Sequence, residues 1–298
     1  MGDTRSVGLI GLGAMGQGMA SSLRAAGFNV HVHDNRRDVV QAFVAQGGVA
    51  CDSPAEVARQ CQVVISVVVN AAQTEAVLFG PQGAAAAMAQ GNVFVMCSTV
   101  DPGWSAALGA RLAETGVHYL DAPISGGAAK AASGQITMMT AGTAAAYALC
   151  EPMLNAMAAK VYKLGEHAGA GSKVKIINQL LAGVHIAAAA EAMALGLREG
   201  VDPHALYEVI THSAGNSWMF ENRMAHVLAG DYTPWSAVDI FVKDLGLVLD
   251  MARASKFPLP LSSTAHQMFM QASTAGHATE DDSAVIKIFP GITLPSKA

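Results

Sequence analysis

The stretch that decides the fold is SVGLIGLGAMGQGMASSLRAAGFNVHVHD, residues 6–34. An apolar strand pattern precedes Gly11, Gly13 and Gly16, which stand in G-x-G-x-x-G spacing, and a helical pattern follows them. A second apolar strand pattern ends at Asp34. In such a turn the first glycine allows the tight bend, the second lets the backbone approach a pyrophosphate, and the third lets the helix pack against the strand. The stretch therefore predicts a dinucleotide-binding β-α-β unit.

The choice of nucleotide depends on the residues that end the second strand. Asp34 can accept hydrogen bonds from the ribose hydroxyls and would repel a 2′-phosphate, which favours NAD. Arg36 and Arg37 follow almost directly, and an arginine beside the ribose accommodates NADP, so NADP stays possible. The predicted nucleotide-binding residues of this segment are Gly11, Gly13, Ala14, Met15, Gly16 and Asp34.

The pattern of strand and helix continues to about residue 165. Unbroken apolar runs at 61–70 and 91–100 are typical of buried parallel strands, and further strands are predicted at 117–123, 134–142 and 160–165. We therefore expect a doubly wound (Rossmann) mostly parallel sheet over residues 1–165. Asn70 and Thr99 follow strands at the edge where ligands bind, although a residue such as Asn70 can equally cap a helix.

A second glycine-rich segment, DAPISGGAAKAASG, spans residues 121–134. Ser125, Gly126 and Gly127 follow a strand and precede a short helical pattern, so their backbone N–H groups and one hydroxyl could hold a small carboxylate. An ordinary strand-to-helix turn would have the same pattern.

Residues 166–298 show helical patterns and no convincing strand, which predicts an all-helical domain. Its first helix, roughly residues 172–199, is apolar on all faces, and we expect it to be buried on every side as an interdomain or dimer-core helix. Lys175, Asn178 and Gln179 share one face of its first turns. A buried lysine suits general acid/base catalysis, whereas a lysine at a frayed helix start would simply reach solvent.

Composition narrows the class of protein further. The 298 residues carry a net charge of −5 with scattered Lys and Arg, which argues against a nucleic-acid partner. No segment resembles a targeting or membrane-spanning sequence, and the four cysteines have no metal-ligand spacing. We expect buried free thiols, no metal, no membrane partner and a cytoplasmic location. Abundant apolar helix sequence favours a homodimer or homotetramer.

Four segments in order, GLIGLGAMGQGMASSL, DAPISGG, GAGSKVKIINQ and KDLGLVLDMA, resemble the β-hydroxyacid dehydrogenase family over essentially the whole chain. By that resemblance Lys175 transfers the proton, Ser125, Gly126 and Gly127 hold the substrate carboxylate, and Asn178 binds substrate. The resemblance also implies that Lys243 and Thr99 border the nicotinamide. Gln179 stands where the family usually has a second asparagine, which predicts a reshaped substrate pocket.

The resemblance implies NAD-dependent oxidation of a small hydroxy acid. Alternatives are an NADPH-dependent reductase of tartronate or succinate semialdehyde and a dehydrogenase of 3-hydroxyisobutyrate. A non-catalytic dinucleotide-binding scaffold is a third possibility, against which the presence of Lys175 argues.

Overall fold

The computed structural model describes residues 6–297 of the chain, which divides after Lys175 into two units. Unit 1 ends at Lys175 and unit 2 begins at Ile176. The predicted domains, 1–165 and 166–298, also include residues 1–5 and 298, which lie outside the described residues.

Unit 1 is built on a nine-stranded sheet, counted over residues 6–297. The strands are β1 (Ser6–Ile10), β2 (Asn29–His33), β3 (Val49–Ala50), β4 (Val63–Ser66), β5 (Val93–Met96), β6 (His118–Asp121), β7 (Ile124–Ser125), β8 (Ile136–Gly142) and β9 (Ala158–Lys163). Their order is β3-β2-β1-β4-β5-β6-β8-β7, with β9 paired to β8. The strands β1 to β6 run parallel, and β8 is antiparallel to its neighbours β6 and β7. The predicted mostly parallel, doubly wound sheet is confirmed.

Helices cover both faces of this sheet. They are α1 (Ala14–Ala25), α2 (Arg37–Val44), α3 (Pro54–Gln60), α4 (Ala71–Phe79), α5 (Pro102–Glu114), α6 (Gly127–Ala132) and α7 (Ala144–Met157). Successive strand residues enter different cores, because side chains alternate along a strand: Leu9 and Val95 pack in one core, Ile10 and Phe94 in the other. Burial on both faces explains why these strands are unbroken apolar runs.

Unit 2 is helical. Helix α8 (Ala170–Arg198) begins in unit 1 and continues into unit 2, where α9 (Pro203–Thr211), α10 (Trp218–Ala229), α11 (Val238–Ala254) and α12 (Pro260–Ala272) follow. A short 3-10 segment, Asp282–Ile288, packs with α10, α11 and α12. Its Asp282 accepts two hydrogen bonds from the guanidinium of Arg223, at 2.5 and 3.1 Å, in a buried ion pair.

This chain alone does not cover the first helix of the region on every side, and burial of its remaining face in a dimer core stays a prediction. Ile186, Ala190 and Met193 of α8 lie in the core of unit 2, but Ile177 is 50% exposed and Leu195 is 61% exposed. A helix that is apolar on all sides can be buried without desolvating many polar groups. This composition does not require that the rest of the chain cover every side of the helix. Among residues 6–297, α8 is also the one helix long and apolar enough to cross a membrane by length and composition, which core helices can be too.

All four cysteines lie in unit 1, and the structure confirms that they are buried and form no disulfide. Burial raises the pKa of the Cys51 thiol to about 11 and those of Cys61 and Cys150 to about 12. Burial also raises the pKa of Cys97.

Candidate active site

The turn between β1 and α1 requires glycine at two positions for steric reasons. Gly11 has a φ of +98°, and an added Cβ would lie 2.6 Å from the carbonyl oxygen of Val67. A Cβ on Gly16 would lie 1.9 Å from the carbonyl oxygen of Gly11. Gly13 is different, because a Cβ there would meet no atom within 4 Å. The chain therefore needs Gly11 and Gly16 to pack, whereas Gly13 keeps space open for something other than the chain.

Helix α1 starts at this open space. Gly13 is its N-cap and no side chain caps the helix, so the first turn, which contains Ala14 and Met15, offers backbone N–H groups to a ligand. The N-terminal end of a helix carries partial positive charge and favours an anion such as a pyrophosphate.

Asp34 follows β2 and is held by the same turn. Its carboxylate accepts hydrogen bonds from the backbone N–H groups of Leu12, at 2.7 Å, and Arg36, at 2.9 Å. The Arg36 side chain also donates to Asp34, at 3.2 Å, and to the Leu12 carbonyl oxygen, at 3.2 Å. Burial by itself would raise the pKa of Asp34, but the hydrogen bonds from Arg36 and Leu12 lower it below its usual value. The structure therefore holds an ionised carboxylate and an arginine together at the end of β2.

A cavity of about 1110 Å³ in unit 1 includes Gly11, Gly13 and Asp34 in its wall. It lies at the carboxyl ends of β1 and β4, where the order of the strands reverses direction and doubly wound sheets bind ligands. The open space at Gly13, the uncapped helix start and the acidic strand end all fit a dinucleotide. Within residues 6–297, no group of three or more His, Cys, Asp or Glu side chains could hold a metal ion.

Two further predicted nucleotide residues lie at the same edge of the sheet. Asn70 follows β4, and its Oδ1 accepts a hydrogen bond from the backbone N–H of Gln73 at 2.9 Å. The structure therefore gives Asn70 the helix-capping role that the sequence left open. Thr99 follows β5 and is partly buried.

The predicted carboxylate loop is a single turn in which Ser125 ends β7 and Gly126 precedes α6. Gly126 has a φ of +135° and Gly127 a φ of +78°, so both adopt conformations that favour glycine. A Cβ on Gly127 would meet no atom within 4 Å, and no side chain caps α6. The structure thus brings the hydroxyl and the two glycines together, with open space beside Gly127.

Asp121 anchors the start of α8. Its buried carboxylate accepts hydrogen bonds from the backbone N–H groups of Gly169 and Ser172, both at 2.9 Å, and from the Ser172 hydroxyl at 2.6 Å. Burial raises the pKa of Asp121, against the opposing effect of these hydrogen bonds. Lys175 lies one turn further along α8 and is 7% exposed. The side chain of Lys175 is therefore buried, and the start of its helix is fixed to β6 through Asp121.

The predicted substrate amides and Lys243 meet in unit 2 through one carboxylate. The Nδ2 of Asn178 donates to Gln179 Oε1 at 3.0 Å, and Gln179 Nε2 donates to Asp244 Oδ2 at 2.6 Å. The ammonium of Lys243 pairs with the other carboxylate oxygen of Asp244. Asp244 is 1% exposed and Gln179 is 7% exposed.

Asp121 and Asp244 are buried carboxylates of these sites that were not predicted as site residues from the sequence. Asp121 ends a strand in DAPISGG, and Asp244 stands at a core position of an amphipathic helix. A carboxylate at a position whose neighbours in the pattern are buried is the signal that could have found both, because buried charges need partners.

Fold and sites together define a dinucleotide-binding protein of the dehydrogenase type, and comparison with known proteins agrees. Residues 6–165 match the model for the NAD-binding domain of 6-phosphogluconate dehydrogenase. Residues 169–289 match the model described as NAD-binding of NADP-dependent 3-hydroxyisobutyrate dehydrogenase.

Three relatives resemble the chain over nearly its full length. It is 71% identical to L-threonate dehydrogenase of Cupriavidus necator, over 99% of both chains. It is 51% identical to L-threonate dehydrogenase of Haemophilus influenzae, over 98% of this chain and 97% of that protein. A crystal structure described as 3-hydroxyisobutyrate dehydrogenase from Salmonella typhimurium has a TM-score of 0.92 at 52% identity, covering 95% of this chain and 99% of that one.

The chain belongs to the β-hydroxyacid dehydrogenase family, as the four sequence segments predict. It is a hydroxy-acid dehydrogenase that uses NAD or NADP.

Proposed function

We propose that the chain oxidises L-threonate with NAD, converting the C2 hydroxyl into the ketone of 2-dehydro-L-erythronate. The observation that carries the proposal is its 71% identity, over 99% of both chains, to a protein named L-threonate dehydrogenase. The Salmonella structure with the other name is less similar, at 52% identity.

The nucleotide would be held by the turn after β1 and by the residues at the neighbouring strand ends. In this proposal the pyrophosphate lies on the open side of Gly13 and the adenosine ribose at Asp34, which would exclude a 2′-phosphate. When bound, the nicotinamide ring supplies the acceptor for the hydride that leaves the carbinol carbon. The complete proposed set is Gly11, Gly13, Ala14, Met15, Gly16, Asp34, Asn70, Thr99 and Lys243.

Lys175 is the proposed general acid/base. Lys175 is 7% exposed, and in this proposal its side-chain nitrogen takes the proton of the substrate hydroxyl as the hydride leaves. The ammonium that results stabilises the developing alkoxide and returns the proton in the reverse reaction. This lysine supplies the charge that a metal ion supplies in other dehydrogenases, so the proposal includes no metal.

The substrate carboxylate would be bound by Ser125, Gly126 and Gly127, whose open turn offers backbone N–H groups and a hydroxyl. Asn178 and Gln179 complete the proposed substrate-binding set. A four-carbon acid with several hydroxyls suits amide groups, because amides both donate and accept hydrogen bonds.

The proposal also covers the roles of the two predicted domains and the oligomeric state. Residues 1–165 would bind the nucleotide, and residues 166–298 would serve substrate binding and dimerisation. The exposed apolar side chains of α8 support a homodimer or homotetramer.

Four buried free thiols support a reducing cytoplasm, and a net charge of −5 supports the absence of a nucleic-acid partner. The partly exposed, core-packed α8 supports an enzyme without a membrane partner.

A second candidate is an NADPH-dependent reductase of a small semialdehyde, or a dehydrogenase of 3-hydroxyisobutyrate. The position of Arg36 favours it, since this largely exposed guanidinium contacts Asp34 and could bind a 2′-phosphate.

A steady-state screen of three- and four-carbon hydroxy acids with NAD and NADP tests both candidates. We expect L-threonate with NAD to give the highest kcat/KM. A higher kcat/KM for 3-hydroxyisobutyrate, or for a semialdehyde with NADPH, would replace the first candidate with the second.

The role of Lys175 is tested by Lys175→Met. We expect kcat to fall by roughly 10²–10⁴-fold, the usual contribution of a positioned acid/base, while NADH binding measured by fluorescence titration changes little. Lys173→Met is the matched control, because Lys173 lies in the same helix turn and is exposed. Equal turnover by the Lys175 and Lys173 variants would reject the role.

A further inference from the structure

Asn178, Gln179, Asp244 and Lys243 form one line of hydrogen bonds between α8 and α11, which we call the amide relay. Gln179 lies between Asn178 and Asp244 in this line and contacts both, at 3.0 Å and 2.6 Å. Glutamine is one methylene longer than the asparagine that the family resemblance predicts here, and its length lets one side chain span Asn178 and Asp244.

The relay has a fixed direction because its anchor is a carboxylate paired with Lys243. An ionised carboxylate only accepts hydrogen bonds, so Gln179 must turn its NH2 group toward Asp244. Gln179 Oε1 then faces Asn178, which must turn its own NH2 group toward Gln179. The carbonyl oxygen of Asn178 therefore lies at the end of its amide away from Gln179. An amide without this anchor could rotate by half a turn and exchange its oxygen and nitrogen.

We propose that Gln179, counted above in the substrate-binding set, acts on the substrate through Asn178. Anchored by Asp244, it is a positioning residue that fixes the polarity of Asn178, so that the Asn178 carbonyl oxygen accepts a hydrogen bond from a substrate hydroxyl. The inference rests on the proposed function, which places Asn178 against the substrate. It deepens that function, because a carbonyl oxygen held in one orientation selects substrates that carry a hydroxyl group opposite Asn178. A site built for such a hydrogen bond rejects analogues without the hydroxyl more strongly than an apolar pocket does.

Exchanging the charged and neutral members of the relay tests the inference. Gln179→Glu places two carboxylates side by side, and Asp244→Asn leaves an anchor that can both donate and accept, so each loses the fixed direction. The double variant D244N/Q179E restores it, because the new amide at position 244 can donate to one oxygen of the new carboxylate at position 179. The other oxygen of that carboxylate then accepts from Asn178. The double variant also keeps the net charge of the wild type.

We expect each single variant to lose about tenfold or more in kcat/KM for the hydroxy acid, mainly through KM, and the double variant to exceed Q179E by about tenfold. The midpoint of thermal unfolding should not follow this pattern, whereas a merely structural role would move it in parallel with kcat/KM. The control D250N/Q271E changes one Asp and one Gln that are exposed on α11 and α12, and we expect wild-type kinetics from it. Losses in the double variant equal to the product of the single losses would overturn the inference, as would wild-type kinetics for Q179E.

A second measurement keeps the inference separate from the choice of substrate. The side-chain amide protons of Asn178 and Gln179 can be assigned by NMR from their loss in N178D and Q179E. We expect the Gln179 amide protons to move upfield in D244N as their charged acceptor is lost; unchanged resonances would overturn the fixed polarity. If the wild type turns over another hydroxy acid instead of L-threonate, the proposed substrate fails, and the variants are compared on that other acid.

Discussion

The glycine turn of unit 1 and the amide relay of unit 2 are both proposed ligand sites, but they are built in opposite ways. In the glycine turn the groups proposed to bind are backbone N–H groups, and the absence of side chains leaves space for a ligand. In the relay the groups proposed to bind are side chains, and the hydrogen bond from Gln179 to Asp244 joins residues 65 positions apart. The first site is therefore sensitive to added atoms, and the second to a changed order of donors and acceptors.

The largest expected effect separates two glycines of the same turn. Gly16→Ala should lower the free energy of unfolding by about 3 kcal/mol, because its Cβ would lie 1.9 Å from the Gly11 carbonyl oxygen, and should abolish measurable NADH binding. Gly13→Ala should leave the free energy of unfolding within about 0.5 kcal/mol, since its Cβ meets no atom, yet weaken NADH binding by tenfold or more, about 1.4 kcal/mol. Urea denaturation and fluorescence titration measure the two quantities.

Equal destabilisation by the two alanine substitutions would contradict this prediction, because it would mean that glycine at position 13 is needed for folding and not for ligand binding. Unchanged NADH affinity in Gly13→Ala would mean that the space does not receive the nucleotide.

The next prediction tests whether the stability of unit 1 also depends on side-chain hydrogen bonds. Asp121→Asn should lower the free energy of unfolding by about 2 kcal/mol, since an amide cannot accept all the hydrogen bonds that fix the start of α8. The same variant should lower kcat, because Lys175 is on that helix. Glu114→Gln, at an exposed site on α5, is the control.

The free energy of unfolding of the wild type should depend on pH through Asp121, and the sign of this dependence follows from the raised pKa. Burial raises the pKa of Asp121 in the folded protein, so the folded state holds this proton more tightly than the unfolded chain does. The associated stability is complete below the unfolded pKa of about 4 and declines as the pH rises through the folded pKa. Urea titrations across this range should show a shallower decline in Asp121→Asn than in the wild type, and identical slopes would contradict the role of burial.

The smallest effect concerns the choice of nucleotide. Asp34→Asn should reduce the preference for NAD over NADP by about tenfold, because it removes the charge that repels a 2′-phosphate and leaves Arg36 in place. The pKa of Asp34 is lowered, so its carboxylate should stay ionised between about pH 5 and pH 9, and the preference should change in this range only as the 2′-phosphate of NADP loses its second proton near about pH 6. The ratio of kcat/KM for the two nucleotides is the measurement, and Asp38→Asn is the exposed control. A ratio unchanged in Asp34→Asn would assign the discrimination to other residues.

Most of unit 1 could be predicted from the sequence because its signals are local. The glycine spacing, the strand ends and the SGG turn each lie within a short window, and the structure forms a turn or strand end at all of them. The two-residue strands β3 and β7 were not predicted, since so short a segment has no periodicity to recognise.

The side-chain partnerships could not be predicted, because they join residues far apart in the chain. Nothing near Asp121 in the sequence identifies Ser172 as its partner, and nothing near Gln179 identifies Asp244. The faces of α8 that this chain covers could not be predicted for a related reason: composition shows what a helix could bury, while the packing of the rest of the chain decides what it does bury.

The distribution of cysteines gives this enzyme an internal probe of unfolding. All four thiols lie in unit 1, and pKa values near 11 or higher keep them protonated and unreactive at neutral pH. Cys51 lines the cavity of unit 1, whereas Cys97 and Cys150 lie in a core beside the sheet, so an alkylating reagent would modify Cys97 and Cys150 only as fast as the structure around them opens. Its rate would report the opening of unit 1 alone, because unit 2 contains no cysteine among residues 176–298.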